Sequence, residues 1–293
     1  LREETGAVLP EDLRKIAVAV ECFHKASLIH DDIEDNDAER YGEKTLHEAH
    51  GVPVALNVGD LLIGEGYRLI AASKVSPAQQ AAMIAVAAEG QRELCRGQGA
   101  ELIWARTPGP LSQTQVLDIF RRKTAPAFEV ALRLGAIYAS LDRHREVDEV
   151  LGRYSEALGI AYQIRDDLSD LGDAGETNDI AALRPSLLLA VAHEKARGEQ
   201  KAVFEAWWRR TPPVGFDVAR IEAMYADLLV TDRARTLLET YKEQAIRSLA
   251  TLDNPNLKGL LRRTIGKIFN DTEIKGWCKE VQAEHPVQTA DAR

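Results

Sequence analysis

Apolar residues recur at three- and four-residue intervals along nearly the whole chain, the spacing that lines one side of a helix. In "LRKIAVAVECFHKASLIHDD", for example, Ile16, Val20, Phe23 and Ser27 fall on one stripe. Turn-forming clusters interrupt the pattern at "HGVP" (50–53), "VSP" (75–77), "TPGP" (107–110), "LGDAGETND" (171–179), "TPPVG" (211–215) and "DNPN" (253–256). No segment of any length alternates apolar and polar residues as a half-buried strand would. No linker is long enough to separate domains, and no short-period repeat is present. The pattern predicts an all-α fold: one domain over residues 1–293, a bundle of roughly ten helices around a central cavity or core.

Composition narrows the function classes. With 45% apolar and 28% charged residues, the chain has ordinary globular proportions. Its net charge of −9 argues against a nucleic-acid partner, which needs a basic surface. It remains compatible with an anionic ligand held through metal ions. Cys22, Cys95 and Cys278 are few and far apart, which suggests reduced thiols in a cytoplasmic protein. No apolar run approaches the ~20 residues of a membrane span, and no signal peptide is visible. The chain opens at "LREETG" without an initiator methionine, so further N-terminal residues are expected.

Two acidic clusters carry the candidate chemistry. "LIHDDIEDND" packs its acids tightly after an apolar lead-in, with Asp31, Asp32 and Asp35 in the spacing D-D-x-x-D. Asp166, Asp167 and Asp170 in "GIAYQIRDDLSDLGD" repeat that spacing, again after an apolar segment. Positions i and i+4 share a helix face, so Asp31 projects with Asp35 and Asp166 with Asp170. Such like-charge pairs cost a helix about 0.2–0.5 kcal/mol unless something neutralises them. One acidic run reads most simply as a solvated face. Two runs of one spacing fit Mg²⁺, which takes one or two carboxylates, keeps water and binds phosphate.

The ordered series of motifs resembles the trans-isoprenyl diphosphate synthase, or polyprenyl synthetase, family. The first acidic motif of that family matches "DDIED", with His24 upstream and Arg40, Gly42 and His47 downstream. Then come Gly59-Asp60, "GQGAEL" (97–102), "RRKTA" (121–125) and "YQIRDDLSD". The resemblance implies a helical bundle around a deep apolar pocket, with the two acidic motifs facing each other at its mouth. It also implies condensation of an allylic diphosphate with isopentenyl diphosphate, three Mg²⁺ ions, and a homodimer.

Roles follow by position from that resemblance. Asp31, Asp35 and Asp166 are the expected direct metal ligands; Asp32, Asp167 and Asp170 are further or water-mediated ones. Arg40, Lys123 and Arg184 are expected at the diphosphates, Thr124 and Gln163 near the carbocation, and His24 at the isopentenyl diphosphate site. Taken singly, Lys123 also reads as a solvated helix lysine, His24 as a packed core histidine and Gln163 as a backbone cap. Ala26 is small where shorter-product members carry an aromatic. Phe23, one turn deeper, either floors the pocket near twenty carbons or faces the core.

The chain departs from the family where positive charge is expected. The upstream G-K-x-x-R motif is absent, Tyr41 replaces a second arginine, Glu176 occupies a lysine position, and Arg184 replaces another lysine. Two alternatives therefore accompany the prenyltransferase reading. One is a terpene-synthase-like ionisation without isopentenyl diphosphate; the other is a non-catalytic partner subunit that binds prenyl diphosphates.

Overall fold

The computed structural model of the chain describes residues 10–140, 144–169, 184–211, 213 and 218–270. Helix α1 (Glu11–Asp35) starts after Pro10 with Glu11 and Asp12 in its first turn, at the positive end of the helix dipole. It stops at Asn36, whose left-handed φ of 56° lets its N–H close back on the Asp32 carbonyl. Ile16, Ala19, Cys22 and Ala26 form its buried face. The true stripe thus runs one position before the expected one at its end: Ser27 is exposed and Ala26 is buried.

A two-residue hairpin follows, β1 (Glu39–Arg40) and β2 (Glu43–Lys44), too short to show as an alternating pattern. Helices α2 (Leu46–His50), α3 (Val52–Ala71), α4 (Pro77–Arg106), α5 (Gln113–Ala139) and α6 (His144–Ser169) come next. After them lie α7 (Leu187–Lys195), α8 (Gly198–Trp208), α9 (Val218–Asp227) and α10 (Val230–Ser248), closed by a 3-10 turn at Leu249–Thr251. Capping boxes fix the starts of the two longest helices, Ser76 with Gln79 on α4 and Ser112 with Gln115 on α5. Each anticipated break that falls in the described residues lies between helices or at a helix start.

These elements belong to one compact unit, Arg2–Thr251. A second unit begins at Leu252 and contains α11 (Pro255–Phe269). The Asn254 side chain caps α11, which buries Leu261 and Ile265 one turn apart. The described residues thus hold eleven α-helices, in line with the all-α expectation.

Two apolar cores meet along α5. The first joins Ile16 and Ala19 of α1, Ile70 of α3, Met83 and Ala87 of α4, and Leu134 and Ile137 of α5. The second joins Val116 and Phe120 of α5 and Ile160 and Ile164 of α6 to the continuous run Leu187–Ala192 of α7. Phe204, Trp207 and Trp208 of α8 complete it with Ile221 and Tyr225 of α9. The paired tryptophans are therefore core residues, and Trp208 stands edge-on to Trp104 at 5.7 Å.

Two glycines allow α5 to be squeezed from both sides. A Cβ on Gly97 of α4 would lie 2.6 Å from the Arg122 carbonyl carbon and 2.7 Å from the Lys123 nitrogen. One on Gly159 of α6 would lie 2.7 Å from both the nitrogen and the Cα of Ala125. Backbone touches backbone at both crossings, so no rotamer change can make room. A mid-helix glycine costs about 1 kcal/mol relative to alanine, and here that cost secures the close approach. We expect Gly159→Ala to destabilise the protein by about 1–3 kcal/mol through overpacking. Gly135→Ala, on the same helix system but facing open space, should stabilise it by about 0.5–1 kcal/mol. Urea unfolding of the two variants checks both signs.

Candidate active site

The site is assembled from the C-terminal end of α1, the hairpin, α4, α5, α6 and the segment entering α7. The hairpin turn has Tyr41 at φ 56° and Gly42 at φ 78°, the two left-handed residues of a type I′ turn, whose twist suits paired strands. Thr45 Oγ1 donates to the Asp37 carbonyl (2.7 Å) and ties down the hairpin base. The fold-back returns Arg40 to α1, where Nε donates to Asp32 Oδ1 at 2.6 Å. Its Nη2 lies 2.5 Å from the same oxygen and 3.6 Å from Asp31 Oδ2. Asp32 is buried, and burial raises its carboxyl pKa despite Arg40.

Gln98 Nε2 of α4 donates to Asp31 Oδ1 of α1 (3.1 Å), and across the close α4–α5 crossing Glu101 pairs with Lys123 Nζ (2.8 Å). Burial works against the charge on Lys123, but Glu101, Asp31 and Asp35 together outweigh it, and its pKa is raised. Across the α5–α6 crossing, Gln163 Nε2 donates to Thr124 Oγ1 at 2.8 Å. Lys123 therefore sits beside the first acidic cluster, and Thr124 beside Gln163.

Asp35 is the least compensated acid. Its side chain is only 11% exposed, and Oδ2 has no hydrogen-bond partner, with Arg184 Nη2 3.3 Å away. Burial pushes its carboxyl up to about 6; Arg184 and Lys123 pull it down, while Asp31 and Glu101 push it further up. Arg184 Nη2 itself donates to Asp37 Oδ1 at 2.6 Å.

At the second cluster, Asp166 Oδ1 accepts from Arg165 Nη2 (2.8 Å) and Nε (3.2 Å), and that guanidinium lies over the Tyr162 ring at 4.3 Å. Asp167 turns inward, and its Oδ2 accepts from the Leu187 and Leu188 N–H groups at 2.7 and 3.2 Å. That acceptor caps the α7 N-terminus with one oxygen of a residue expected as a further or water-mediated metal ligand. Asp170 and Glu176 lie outside the described residues.

Among the described residues, no three carboxylate, histidine or cysteine side chains converge closely enough to hold an ion. Pairing offsets the charge: Arg40, Arg184 and Arg165 each neutralise acids of these clusters. The donor set nevertheless fits a hard divalent cation. Asp31 and Asp35 offer oxygen ligands on one helix face, and Asp35 Oδ2 is a buried acceptor left without a hydrogen bond.

The remaining assigned residues lie along α1. His24 is exposed, two turns before Asp31, so it is not the packed core histidine of the simpler reading. Ala26 is buried, and Phe23 packs edge-on against Tyr67 at 5.0 Å and over Gly66 of α3. A separate cavity of about 200 Å³ opens between α4, α5 and α6, lined by charged residues such as Glu93, Arg122 and Glu156 as well as Val86 and Val130. Four contributors carry no assigned role in the sequence reading. Gln98 and Glu101 stand inside the noted "GQGAEL" stretch, Arg165 adjoins an aspartate, and Asp37 falls off the D-D-x-x-D spacing.

A sequence model of the polyprenyl synthetase family matches residues 5–228. The chain is 31% identical over 243 residues to a farnesyl diphosphate synthase of Escherichia coli, covering 80% of this chain and 73% of that protein. It is 34% identical over 162 residues to a short chain isoprenyl diphosphate synthase of Methanocaldococcus jannaschii, covering 55% of this chain. That match spans about half (48%) of the relative's own length. In fold it is similar to the geranylgeranyl pyrophosphate synthetase of Pyrococcus horikoshii, with a TM-score of 0.77 at 25% identity, covering 88% of this chain and 79% of that one. No helix among the described residues is long and apolar enough to cross a membrane.

The Asp35 environment yields a stability prediction. Folding raises this carboxyl from 3.8 to about 6, so keeping it ionised in the folded state costs about 3 kcal/mol above pH 6. Asp35→Asn should therefore stabilise the cation-free protein at pH 8. The gain should shrink as pH falls from 6 to 4, where wild-type Asp35 protonates, and vanish below that. Urea unfolding in EDTA across this pH range is the check.

Proposed function

This chain belongs to the polyprenyl synthetase family, and from that premise we propose that it is a prenyltransferase. It joins an allylic diphosphate to isopentenyl diphosphate and releases a longer all-trans prenyl diphosphate. One observation carries the reading: Lys123, an anion-binding cation, sits within electrostatic reach of Asp31 and Asp35, whose oxygens suit divalent cations. Residues for both a diphosphate and its counter-ions thus share one place.

Asp31, Asp35 and Asp166 would hold Mg²⁺, three ions by family resemblance, with Asp32 and Asp170 in support. Bound Mg²⁺ supplies the positive charge that stabilises a departing pyrophosphate. Lys123 and Arg40 grip the allylic diphosphate as point charge and fork, with Arg184 at the edge of the same group. Gln163 fixes the Thr124 hydroxyl, so that the acceptor oxygens of both face the allylic carbon as it gains positive charge. His24, exposed on α1, would serve the isopentenyl diphosphate, by family resemblance.

Several finer assignments belong to the same proposal. The small Ala26 and the bulky Phe23 support a product of about twenty carbons or more, one helical turn of ~5.4 Å matching about one isoprene unit. Val54, Leu56 and Leu61 leave α3 with exposed apolar side chains, which supports a homodimer. Free thiols at Cys22 and Cys95 support a cytoplasmic setting.

A second reading, ionisation of a prenyl diphosphate without isopentenyl diphosphate, is favoured by Tyr41. It is 84% exposed at the hairpin tip, where the family usually has a second arginine. One assay separates the readings: purified protein, Mg²⁺, labelled isopentenyl diphosphate and C5, C10 or C15 allylic partners. Extended diphosphates, abolished by EDTA, are the expected result; hydrocarbons or alcohols support the second reading, and binding without turnover sinks both. Lys123→Ala should lower kcat/KM by about 10²-fold or more, the scale of losing one charge-stabilising group. In Phe23→Ala the product distribution should shift to longer chains, and an unchanged distribution removes Phe23 as the floor.

A further inference from the structure

Arg184 reaches the first acidic cluster from a short, firmly anchored strap. Two residues after it, buried Ser186 caps α7 by accepting from the Leu189 N–H. The next two N–H groups donate to Asp167 of the second cluster. Three residues of extended chain span at most roughly 11 Å. One strap therefore ties the second cluster, through Asp167, to the first, through Arg184. Among the described residues, two acids lie within reach of the guanidinium there. It donates to Asp37 Oδ1 at 2.6 Å, and it stands 3.3 Å from Asp35 Oδ2 without hydrogen-bonding it.

We infer that Asp37, which lies outside the D-D-x-x-D spacing, is a positioning residue that parks Arg184 and keeps it off the Asp35 oxygen a divalent cation needs. The inference rests on the cation-binding reading of the site. A guanidinium and a divalent ion cannot share one carboxylate oxygen at close range, since their charges repel and the lone pairs are few. Asp37 supplies the competing acceptor. Without it, the buried Asp35 oxygen, already 3.3 Å away, is the nearest of the described acceptors for Arg184, and the cation then meets a filled ligand. With it, Arg184 stays at the edge of the site and keeps the strap attached to both clusters.

The test uses Mn²⁺ alone as the probe, with its binding to the purified full chain followed by electron paramagnetic resonance. Arg184→Gln should bind Mn²⁺ tighter than wild type, and Asp37→Asn weaker, each by about threefold or more; Asp37→Glu, which keeps the pair, should stay within about twofold. In the Arg184→Gln background, Asp37→Asn should then change affinity by less than about twofold, because its action runs through Arg184. Equal weakening in both backgrounds would mean that Asp37 acts only through its own charge and would overturn the inference while leaving the cation reading intact. Wild type that binds no Mn²⁺ would remove the cation reading itself. Thermal melts confirm folding, and if Asp37→Asn does not fold, Asp37→Ser replaces it in the same cycle.

Discussion

The contact on which the site depends is the direct backbone packing of α4 and α6 against α5. Gly97 and Gly159 leave no side chain between the helices, so both neighbours close onto residues 122–125. Lys123 and Thr124 are thereby held at fixed height between Glu101 on one side and Gln163 on the other. Because α5 also contributes to both apolar cores, its position is set along most of its length. The polar groups are short-range and directional, so they depend on that frame: a shift of an ångström would break the 2.8 Å bonds on either side of α5.

Charge is managed locally within this acidic protein. Each arginine at the site approaches a specific acid by a different route: Arg40 by a hairpin, Arg165 along its own helix, Arg184 by the strap into α7. Pairing makes it tolerable to gather these carboxylates at the seam between the cores. It is incomplete at Asp35, where burial outweighs the nearby cations. An acid kept at such a cost to stability is characteristic of a functional position, since selection for packing alone would remove it.

Part of the candidate site was legible from spacing and part from motif resemblance. Asp31 with Asp35 could be placed on one helix face by their i, i+4 separation, whereas Lys123, Thr124 and Gln163 stood out only because their motifs resemble those of the family. What failed was partner choice. Asp167 reads the same as Asp166 in sequence, yet one caps α7 and the other pairs with Arg165. Asp37 looked incidental because its partner Arg184 is 147 positions away. The neighbours of Phe23 were not legible, because Gly66 and Tyr67 of α3, against which it packs, lie more than forty positions away.

The sequence by itself determined the helical class, the breaks between helices and which residue types could carry diphosphate chemistry. These follow from local periodicity, turn propensity and side-chain chemistry, all properties of neighbouring residues. Only the tertiary structure decided which acids are satisfied, which arginine each one meets, and that Asp35, alone among the described acids, keeps a buried oxygen without a hydrogen bond. Those outcomes depend on desolvation and on contacts between helices far apart in the chain, and both come into being only when the two cores close around α5.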